Sequence, residues 1–377
     1  MMRPATEAEL AEAVAGAEGA LKVIGGGTRP IGAPHEGAVL SVAALSGVEL
    51  YEPGALTLVA KAGTPLAEVE RVLAGEGQRL AFEPMDHRAL LGTEGVPTIG
   101  GVVAGNVSGP RRIQAGACRD ALIGVRFVDG RGEVIRNGGR VMKNVTGYDL
   151  VKLMAGSRGT LGVLSEVSFK VLPAPDAAAV ITLHGLDDAR AVRALSAALS
   201  SPFEVSGAAH APIGPGGAAE TLIRIEGFEG SVAYRTERLQ ALLAEFAETS
   251  VETDPARVAA TWRWLRDVEG FAGAPGDVWR ISVKPSDGPV LGAALEAAGL
   301  IYDWGGGLIW ARVEEGRDIR PALRGPSGHA TLVRASARTR AAIAVFPPEP
   351  APLARIACAL REKFDPRGIL NPGLMGA

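Results

Sequence analysis

Cysteine is nearly absent from this chain of 377 residues, and histidine is scarce. The two cysteines, Cys118 and Cys358, lie far apart, and neither has a partner at CxxC spacing. This argues against a disulfide framework, a cysteine-held iron–sulfur cluster and a structural zinc site, and it favours a reducing compartment. The sequence also lacks a basic and apolar leader and any apolar run long enough to span a bilayer. We therefore expect a cytoplasmic protein with no metal site and no transmembrane segment.

An excess of charge of one sign is missing as well. The 39 Lys and Arg residues nearly balance the 42 Asp and Glu residues, and the charges are interspersed. Such a surface offers no field that would attract nucleic acid or anionic lipid, so a small-molecule ligand is favoured. The length, together with 47% hydrophobic residues, predicts two domains.

Helix and strand signals divide the chain at its prolines. The first part predicts a two-lobed α+β domain with helices over 6–14 and 64–73 and strands over 21–24, 56–60, 121–128, 133–136 and 162–171. Pro173 and Pro175 then mark a linker. Beyond it, the predicted helices 189–199 and 231–248 alternate with strands over 179–183, 221–225, 279–283, 308–313 and 330–334. This order predicts an antiparallel sheet with helices on one face. A last predicted helix, 353–364, leads into a short tail.

Glycine, by contrast, is abundant, and its 50 residues gather in particular loops. The first cluster, KVIGGGTR over 22–29, follows a predicted buried strand. Successive backbone N–H groups without side chains, aided by the hydroxyl of Thr28, suit a pyrophosphate. The cluster does not have the G-x-G-x-x-G spacing, which disfavours a nicotinamide dehydrogenase.

Two further clusters are more specific. They read TIGGVVAGNVSGPRR from Thr98 and MKNVTGYDL from Met142, the latter followed by GSRGTLGVLSEVSFKVLP from Gly156. In order and spacing these segments resemble the FAD-binding domain of the vanillyl-alcohol oxidase, or PCMH-type, superfamily. The tail FDPRGILNPG from Phe364 is similar to the closing motif of that superfamily. Within it, the chain most resembles the FAD-binding E subunits of bacterial glycolate oxidases, because its DVWRISV and YDWGGGLIW segments in the second domain are similar to the Trp-Arg and Trp-Gly-Gly segments of those subunits.

The resemblance implies a PCMH-type FAD-binding domain over 1–174, a cap domain over 175–350 that meets substrate or partner, and a C-terminal helix and tail over 351–377 that return to the flavin domain. It also implies that FAD is contacted by Gly25, Gly26, Gly27, Thr28, Thr98, Gly100, Gly101, Asn106, Gly109, Gly159, Gly162 and Val163. A side chain at Gly26 or Gly101 is expected to occupy space that the pyrophosphate needs. Asn371 would either cap the flavin pocket or end a helix.

Covalent attachment of the flavin is not expected. Relatives that tether FAD often carry histidine beside the first glycine loop, where this sequence has Thr28, and the nearest histidine is His35. Cys118 lies in the second cluster, but a lone cysteine is usually a small buried hydrophobic residue. Arg119 and Asp120 are expected to be a structural pair.

The sequence contains few candidate residues for the substrate chemistry. Related 2-hydroxy-acid dehydrogenases carry paired histidines in a His-x-Gly-Asp-Gly-Asn-x-His segment, which is absent here, and the five histidines are scattered singly. Arg280 is the candidate for holding a substrate carboxylate, with a surface or inter-subunit salt bridge as the alternative.

The resemblance implies an FAD-binding subunit of a complex that oxidises glycolate to glyoxylate. Its partners would be a second flavoprotein and an iron–sulfur subunit, and any membrane attachment would be made through them. The missing histidine pair favours substrate chemistry on a partner. A self-sufficient FAD-dependent dehydrogenase of a small 2-hydroxy acid and a non-catalytic flavin-bearing subunit remain as alternatives.

Overall fold

The computed structural model of the protein describes residues 1–139, 147–324 and 328–376. Residues 140–146, which include most of the MKNVTGYDL motif, therefore lie outside the described part. The strands of the first half are β1 (Leu21–Ile24), β2 (Ala38–Ser41), β3 (Val48–Glu52), β4 (Thr57–Lys61), β5 (Gln78–Arg79), β6 (Leu122–Val128), β7 (Val134–Gly138), β8 (Val163–Lys170) and β9 (Leu172–Pro173). Its helices are α1 (Glu7–Ala15), α2 (Leu66–Ala74), α3 (Arg88–Leu91), α4 (Ile99–Ala104), α5 (Arg112–Ala115), α6 (Cys118–Ala121) and α7 (Leu150–Met154).

The first lobe is built on the parallel pair β1 and β2. Helix α1 begins at Thr6, whose hydroxyl accepts a hydrogen bond from the N–H of Glu9. Leu10 and Val14, one helical turn apart, pack into a small apolar cluster that also contains residues of both strands. The first glycine loop, 25–29, leaves the end of β1.

The second lobe is a five-stranded antiparallel sheet in the order β3-β4-β8-β6-β7. Helix α2 follows Pro65, a residue that suits the start of a helix. Its buried residues Leu66, Val69 and Leu73 recur at helical spacing and join the same apolar cluster as α4. The short helix α4, which begins after Thr98, was not predicted from the sequence.

The second half contains one antiparallel sheet of eight strands, in the order β13-β10-β12-β11-β15-β16-β14-β17. Its strands are β10 (Ala177–His184), β11 (Gly207–Ala211), β12 (Glu220–Gly227), β13 (Thr249–Glu252), β14 (Asp277–Val283), β15 (Gly299–Asp303), β16 (Leu308–Val313) and β17 (Gly328–Arg334). Its helices are α8 (Asp188–Leu199), α9 (Glu229–Leu243), α10 (Pro255–Arg266), α11 (Gly288–Ala294) and α12 (Ala337–Ala342), followed by α13 (Ala351–Phe364).

The expectation that helices cover only one face of this sheet is wrong. Ile181 and Ile223 share an apolar cluster with α8 and α9, whereas Val180 and Leu222 on the opposite face pack with Trp262 of α10. The physical reason is that β10 is apolar at successive positions and residues 221–225 of β12 are all buried, so both faces of the sheet are covered. The face under α10 is the one that meets the first domain.

The other predicted elements are present, with displaced ends. Helix α9 stops at Leu243 instead of residue 248, because the N–H of Phe246 bonds to the carbonyl of Leu243 in a turn that leads to β13. The chain leaves the first half's sheets at Pro173 and enters the eight-stranded sheet at Ala177. The division at 174/175 and 350/351 stays a prediction. No helix within the described ranges is long and apolar enough to cross a membrane.

The C-terminal segment packs against the first domain. The rings of Phe364 in α13 and Phe127 in β6 lie 6.0 Å apart between centroids. Farther along, Leu370 pairs in parallel with Leu21 of β1. The tail thereby reaches the strand that precedes the first glycine loop.

A buried network of ion pairs joins the two domains. Arg224 of β12 donates to both carboxylate oxygens of Glu83 at 2.7 and 2.8 Å. Glu226, also of β12, accepts from Arg111 and, at 2.7 Å, from Arg79. Burial acts to raise the pKa of Glu226, but the charges of Arg224 and Arg111 hold that pKa well below its usual range. Three residues of the first domain and two of the cap are thus fixed in one geometry.

We predict that Glu226→Gln destabilises the protein by about 3–5 kcal/mol, because the substitution leaves buried guanidinium groups without their counter-charge. A carboxylate with a lowered pKa stabilises the fold at pH values above its unfolded pKa of about 4.3. That contribution is lost as the pH falls through the folded pKa, so the difference between wild type and variant should shrink below about pH 4.

The measurement is denaturant unfolding at several pH values. Glu49→Gln is the matched control, because Glu49 pairs with Lys61 at 2.9 Å on the surface, where such a pair contributes about 0–1 kcal/mol. Equal effects of the two substitutions would show that the network does not hold the domains together.

Candidate cofactor and substrate site

A cavity of about 560 Å³ lies where the first glycine loop, α4, the loop before β8 and the C-terminal tail meet. Most residues predicted to contact the cofactor line this cavity: Gly25, Gly26, Gly27, Thr28, Thr98, Gly100, Gly101, Gly159, Gly162, Val163 and Asn371. Segments from four distant parts of the sequence therefore converge on one space.

The first glycine loop presents hydrogen-bond donors to the cavity. Among the described residues, no protein acceptor takes the backbone N–H of Gly26, Gly27 or Thr28. Gly27 has a φ of +74°, and a Cβ added to it would meet no other atom within 4 Å. Consecutive N–H groups without protein acceptors form a concave site for an anion, which fits the diphosphate of FAD.

Several glycines in the cavity wall are required by the protein itself. A Cβ on Gly26 would lie 1.7 Å from the carbonyl oxygen of Val96, and one on Gly25 would lie 2.3 Å from the Thr98 hydroxyl. The expectation that a side chain at Gly26 would mainly displace the pyrophosphate therefore needs revision, since it would first collide with the backbone of the 95–98 loop. Gly101 differs, because only Thr98 Oγ1 at 3.1 Å and Arg29 Nη2 at 4.0 Å would be near its Cβ.

Two arginines in the cavity wall were not singled out from the sequence. Arg29 donates to the carbonyl of Gly101 at 2.6 Å, and Arg158 lies 4.7 Å from the ring centroid of Phe346. Neither has a carboxylate within 4.0 Å among the described residues. Burial lowers the pKa of each to about 10, and in Arg158 the charges of Arg29 and Arg280 add to this. Buried cations without counter-charge fit a bound anion. Both arginines could have been identified from the sequence, because they lie inside the glycine-rich segments GGGTR and GSRGT.

Asn371 ties the tail to the cavity wall. Its side-chain oxygen accepts from the N–H of Val23 at 2.7 Å, and its amide donates to the carbonyl of Arg158 at 2.8 Å. It does not end a helix, since α13 stops at Phe364. His35 also lines the cavity, with its ring 3.3 Å from Asn371 Oδ1, so this histidine is nearer the cofactor space than its sequence position suggested.

Asn106 and Gly109 do not line the cavity. Asn106 accepts from the N–H of Arg119 at 3.1 Å, and the carbonyl of Gly109 accepts from the indole of Trp304 at 3.1 Å. The structure thus gives Asn106 a local role in its loop and Gly109 a contact with the cap domain. Their predicted contacts with FAD stay predictions.

The remaining residues of the second cluster have structural environments. Cys118 is buried, and burial raises the pKa of its thiol far above the usual range, which makes it unreactive. Arg119 and Asp120 form an exposed pair at 3.7 Å, as expected.

Arg280 lies on β14 of the cap domain beside Trp304, with its guanidinium carbon 5.0 Å from the ring centroid. Arg112 of α5 lies 4.6 Å from the same ring. No carboxylate lies within 4.0 Å of either guanidinium in the described part of the chain. Burial, and then the charge of Arg112, lowers the pKa of Arg280 to about 10. Among the described residues Arg280 therefore has no salt-bridge partner, and its role in holding a carboxylate stays a prediction, as does the inter-subunit salt bridge.

Comparisons with known proteins agree with this geometry. Residues 1–138 match the family described as FAD binding domain. Glycolate oxidase subunit GlcE of Escherichia coli (strain K12) is 36% identical over 351 residues, which cover 92% of this chain and 89% of that protein. The chain belongs to the GlcE family. Glycolate oxidase subunit GlcD of Bacillus subtilis (strain 168) is 30% identical to this GlcE-family chain over 52% of its length and 44% of the GlcD length.

A solved structure supports the fold of this GlcE-family protein. An alkyldihydroxyacetonephosphate synthase superposes with a TM-score of 0.72 over 98% of this chain and 76% of its own, at 17% identity. The α+β class and the PCMH-type architecture with a cap domain are thereby confirmed. FAD as the cofactor and membership of the FAD-linked oxidoreductases are also established, whereas the residues that hold FAD stay predictions.

We predict that Gly101→Val lowers the affinity for FAD by roughly a hundred-fold or more, because two or more hydrogen bonds to charged phosphate oxygens would be lost. The measurement is the flavin content of the purified protein and its FAD dissociation constant, with circular dichroism to confirm folding. Gly230→Val in α9 is the control, since a Cβ at Gly230 meets nothing within 4 Å. One FAD per chain in folded Gly101→Val would place the cofactor elsewhere.

Proposed function

We propose that this protein is the FAD-binding subunit of a complex that oxidises glycolate to glyoxylate. The observation that carries the proposal is the pair Arg112 and Arg280, two partly buried guanidinium groups without a carboxylate partner in the described residues, beside the same indole ring. A buried cation without counter-charge is unfavourable unless an anion binds there. The carboxylate of a small 2-hydroxy acid supplies that charge.

The substrate would bind between the two domains. Arg280 would hold the carboxylate, because the guanidinium forms two parallel hydrogen bonds to that group. The first glycine loop, with Arg29 and Arg158, would hold the FAD diphosphate. When bound, FAD supplies the acceptor for a hydride from the carbon that carries the hydroxyl. This geometry supports substrate binding in this chain and weakens the argument, drawn from the missing histidine pair, that a partner does all the substrate chemistry.

Electrons must then leave the flavin, which calls for partners. The chain has only two cysteines, too few to hold an iron–sulfur cluster by cysteine ligands alone. We propose a second FAD subunit and an iron–sulfur subunit as the next carriers. The relatives named as glycolate oxidase subunits GlcE and GlcD support only the coarser statement that this chain has partner subunits. The complex would be cytoplasmic, with any attachment to the inner membrane made through the partners.

The flavin is proposed to be bound without a covalent link. Two observations support this: Cys118 is buried and does not line the cavity, and both ring nitrogens of His35 lie 3.3 Å from protein oxygens.

We predict that acid or heat precipitation releases intact FAD into the supernatant and leaves a colourless protein pellet. The absorbance of both fractions and the mass of the denatured chain measure this. A chain heavier by the mass of FAD would contradict the proposal. His35→Ala would then identify the linkage, since His35 is the histidine among the described cavity residues.

We predict that Arg280→Lys weakens glycolate binding about ten-fold or more without changing FAD content, because an ammonium group cannot make the two-point contact with a carboxylate. The measurement is anaerobic bleaching of the bound flavin at increasing glycolate concentrations. Arg238→Lys is the control, since Arg238 lies 5.2 Å from the ring of Tyr234 on the exposed side of α9.

The same assay separates the alternative functions. Bleaching by glycolate that Arg280→Lys leaves unchanged would remove Arg280 from the site. Bleaching only after the partner subunits are added would place the substrate chemistry on a partner. No bleaching in the reconstituted complex would favour a non-catalytic flavin-bearing subunit, and full turnover by this chain alone would favour a self-sufficient dehydrogenase.

A further inference from the structure

A histidine far from Arg280 in the sequence shares its face of the cap sheet. Strands β14 and β17 are antiparallel neighbours in which Arg280 pairs with Thr331 and Ser282 pairs with His329. Side chains alternate between the two faces of a strand, and directly paired residues point to the same face. Arg280, Ser282, His329 and Thr331 therefore form one polar quartet.

The quartet lies on a face of the sheet that solvent can reach, whereas the opposite face of the same strands is buried. The residues that alternate with it, Trp279, Ile281, Ala330 and Leu332, are all fully buried in the cap core. All four members of the quartet retain solvent access, and His329 is the most exposed of them. Four polar side chains on this face have no role in the core, so their positions favour contact with a ligand.

The quartet faces the proposed substrate site. Arg280 belongs to the quartet and lies beside Trp304, whose indole bonds to Gly109 of the flavin domain. The charge of Arg280 is one of the causes that lower the pKa of Arg158 in the cavity wall. Diagonal neighbours in an antiparallel pair are roughly 7 Å apart, so a small molecule held by Arg280 lies within reach of His329.

We propose that His329 is the catalytic base that accepts the hydroxyl proton of the 2-hydroxy acid whose carboxylate Arg280 holds. This inference rests on the proposed function. It adds a catalytic base, which the sequence motifs did not indicate. In the step, the hydroxyl O–H bond breaks and its proton moves to an unprotonated nitrogen of His329. The carbon–hydrogen bond breaks and its electron pair leaves with the hydrogen as a hydride to FAD, the oxidant. The carbon–oxygen bond becomes a double bond, which gives a 2-oxo acid, imidazolium and reduced flavin.

The surroundings of His329 suit a base. Burial of the ring, followed by the charges of Arg280 and Arg112, lowers the pKa of His329 below its usual value. A lowered pKa favours the unprotonated imidazole, which is the form that can accept a proton. In the described part of the chain, the charged groups that face it are Arg280 from β14 and Arg112 from α5.

The first test follows flavin reduction by glycolate under anaerobic conditions in the FAD-loaded chain. His329→Gln should lower the limiting rate about a hundred-fold or more, with FAD content unchanged and oxalate affinity altered only a few-fold. The wild-type rate should rise with pH through the pKa of His329, and the variant should lose this dependence. His184→Gln is the control, because His184 is exposed on β10 and bonds to Ser250 at 2.8 Å.

The second test needs no turnover. In the oxidised, FAD-loaded protein with labelled histidines, oxalate should shift the ring resonances of His329 and leave those of His184 in place, and Arg280→Lys should weaken this response. Reduction of His329→Gln at the wild-type rate, or His329 resonances that do not move at saturating oxalate, would overturn the inference while the proposed function stands. A wild-type chain that 2-hydroxy acids never reduce, alone or with its partners, would overturn both.

Discussion

The buried ion-pair network between the domains is the interaction on which the rest of the site depends. Glu83 and Arg111 come from the flavin domain, and Arg224 and Glu226 come from one strand of the cap. Each domain contributes one cation and one anion of these four residues, so separating the domains would break ion pairs across the interface. The guanidinium of Arg224 also lies 4.4 Å from the ring of Trp262, which fixes α10 against the same interface. This arrangement sets the distance between the cofactor cavity and the cap sheet.

With the domains fixed, two sets of cations have no carboxylate within 4.0 Å among the described residues. Arg29 and Arg158 lie on the flavin side, and Arg112 and Arg280 lie on the cap side. The pKa values of Arg29, Arg158 and Arg280 are lowered to about 10, mainly by burial, so burial disfavours the charged form of each guanidinium. A diphosphate on one side and a carboxylate on the other would relieve this cost.

The local motifs of the flavin domain could be predicted from the sequence, whereas the contacts between distant strands could not. The glycine loops could be predicted to bind a cofactor from the sequence, because only glycine allows the conformations and close approaches found at Gly26 and Gly27. His329 gave no such signal, since a single histidine has meaning only after the register of β14 and β17 places it beside Arg280. The double covering of the cap sheet was missed for a similar reason: apolar residues at successive positions of β10 do not reveal which helix covers which face.

The most direct test of this account is a crystal structure of the FAD-loaded protein with bound oxalate. We expect the FAD diphosphate to accept hydrogen bonds from the N–H groups of Gly26, Gly27 and Thr28. The oxalate carboxylate should lie within hydrogen-bond distance of Arg280, with the flavin ring between the two domains. A flavin whose ring points away from β14, or oxalate bound without contact to Arg280, would contradict it.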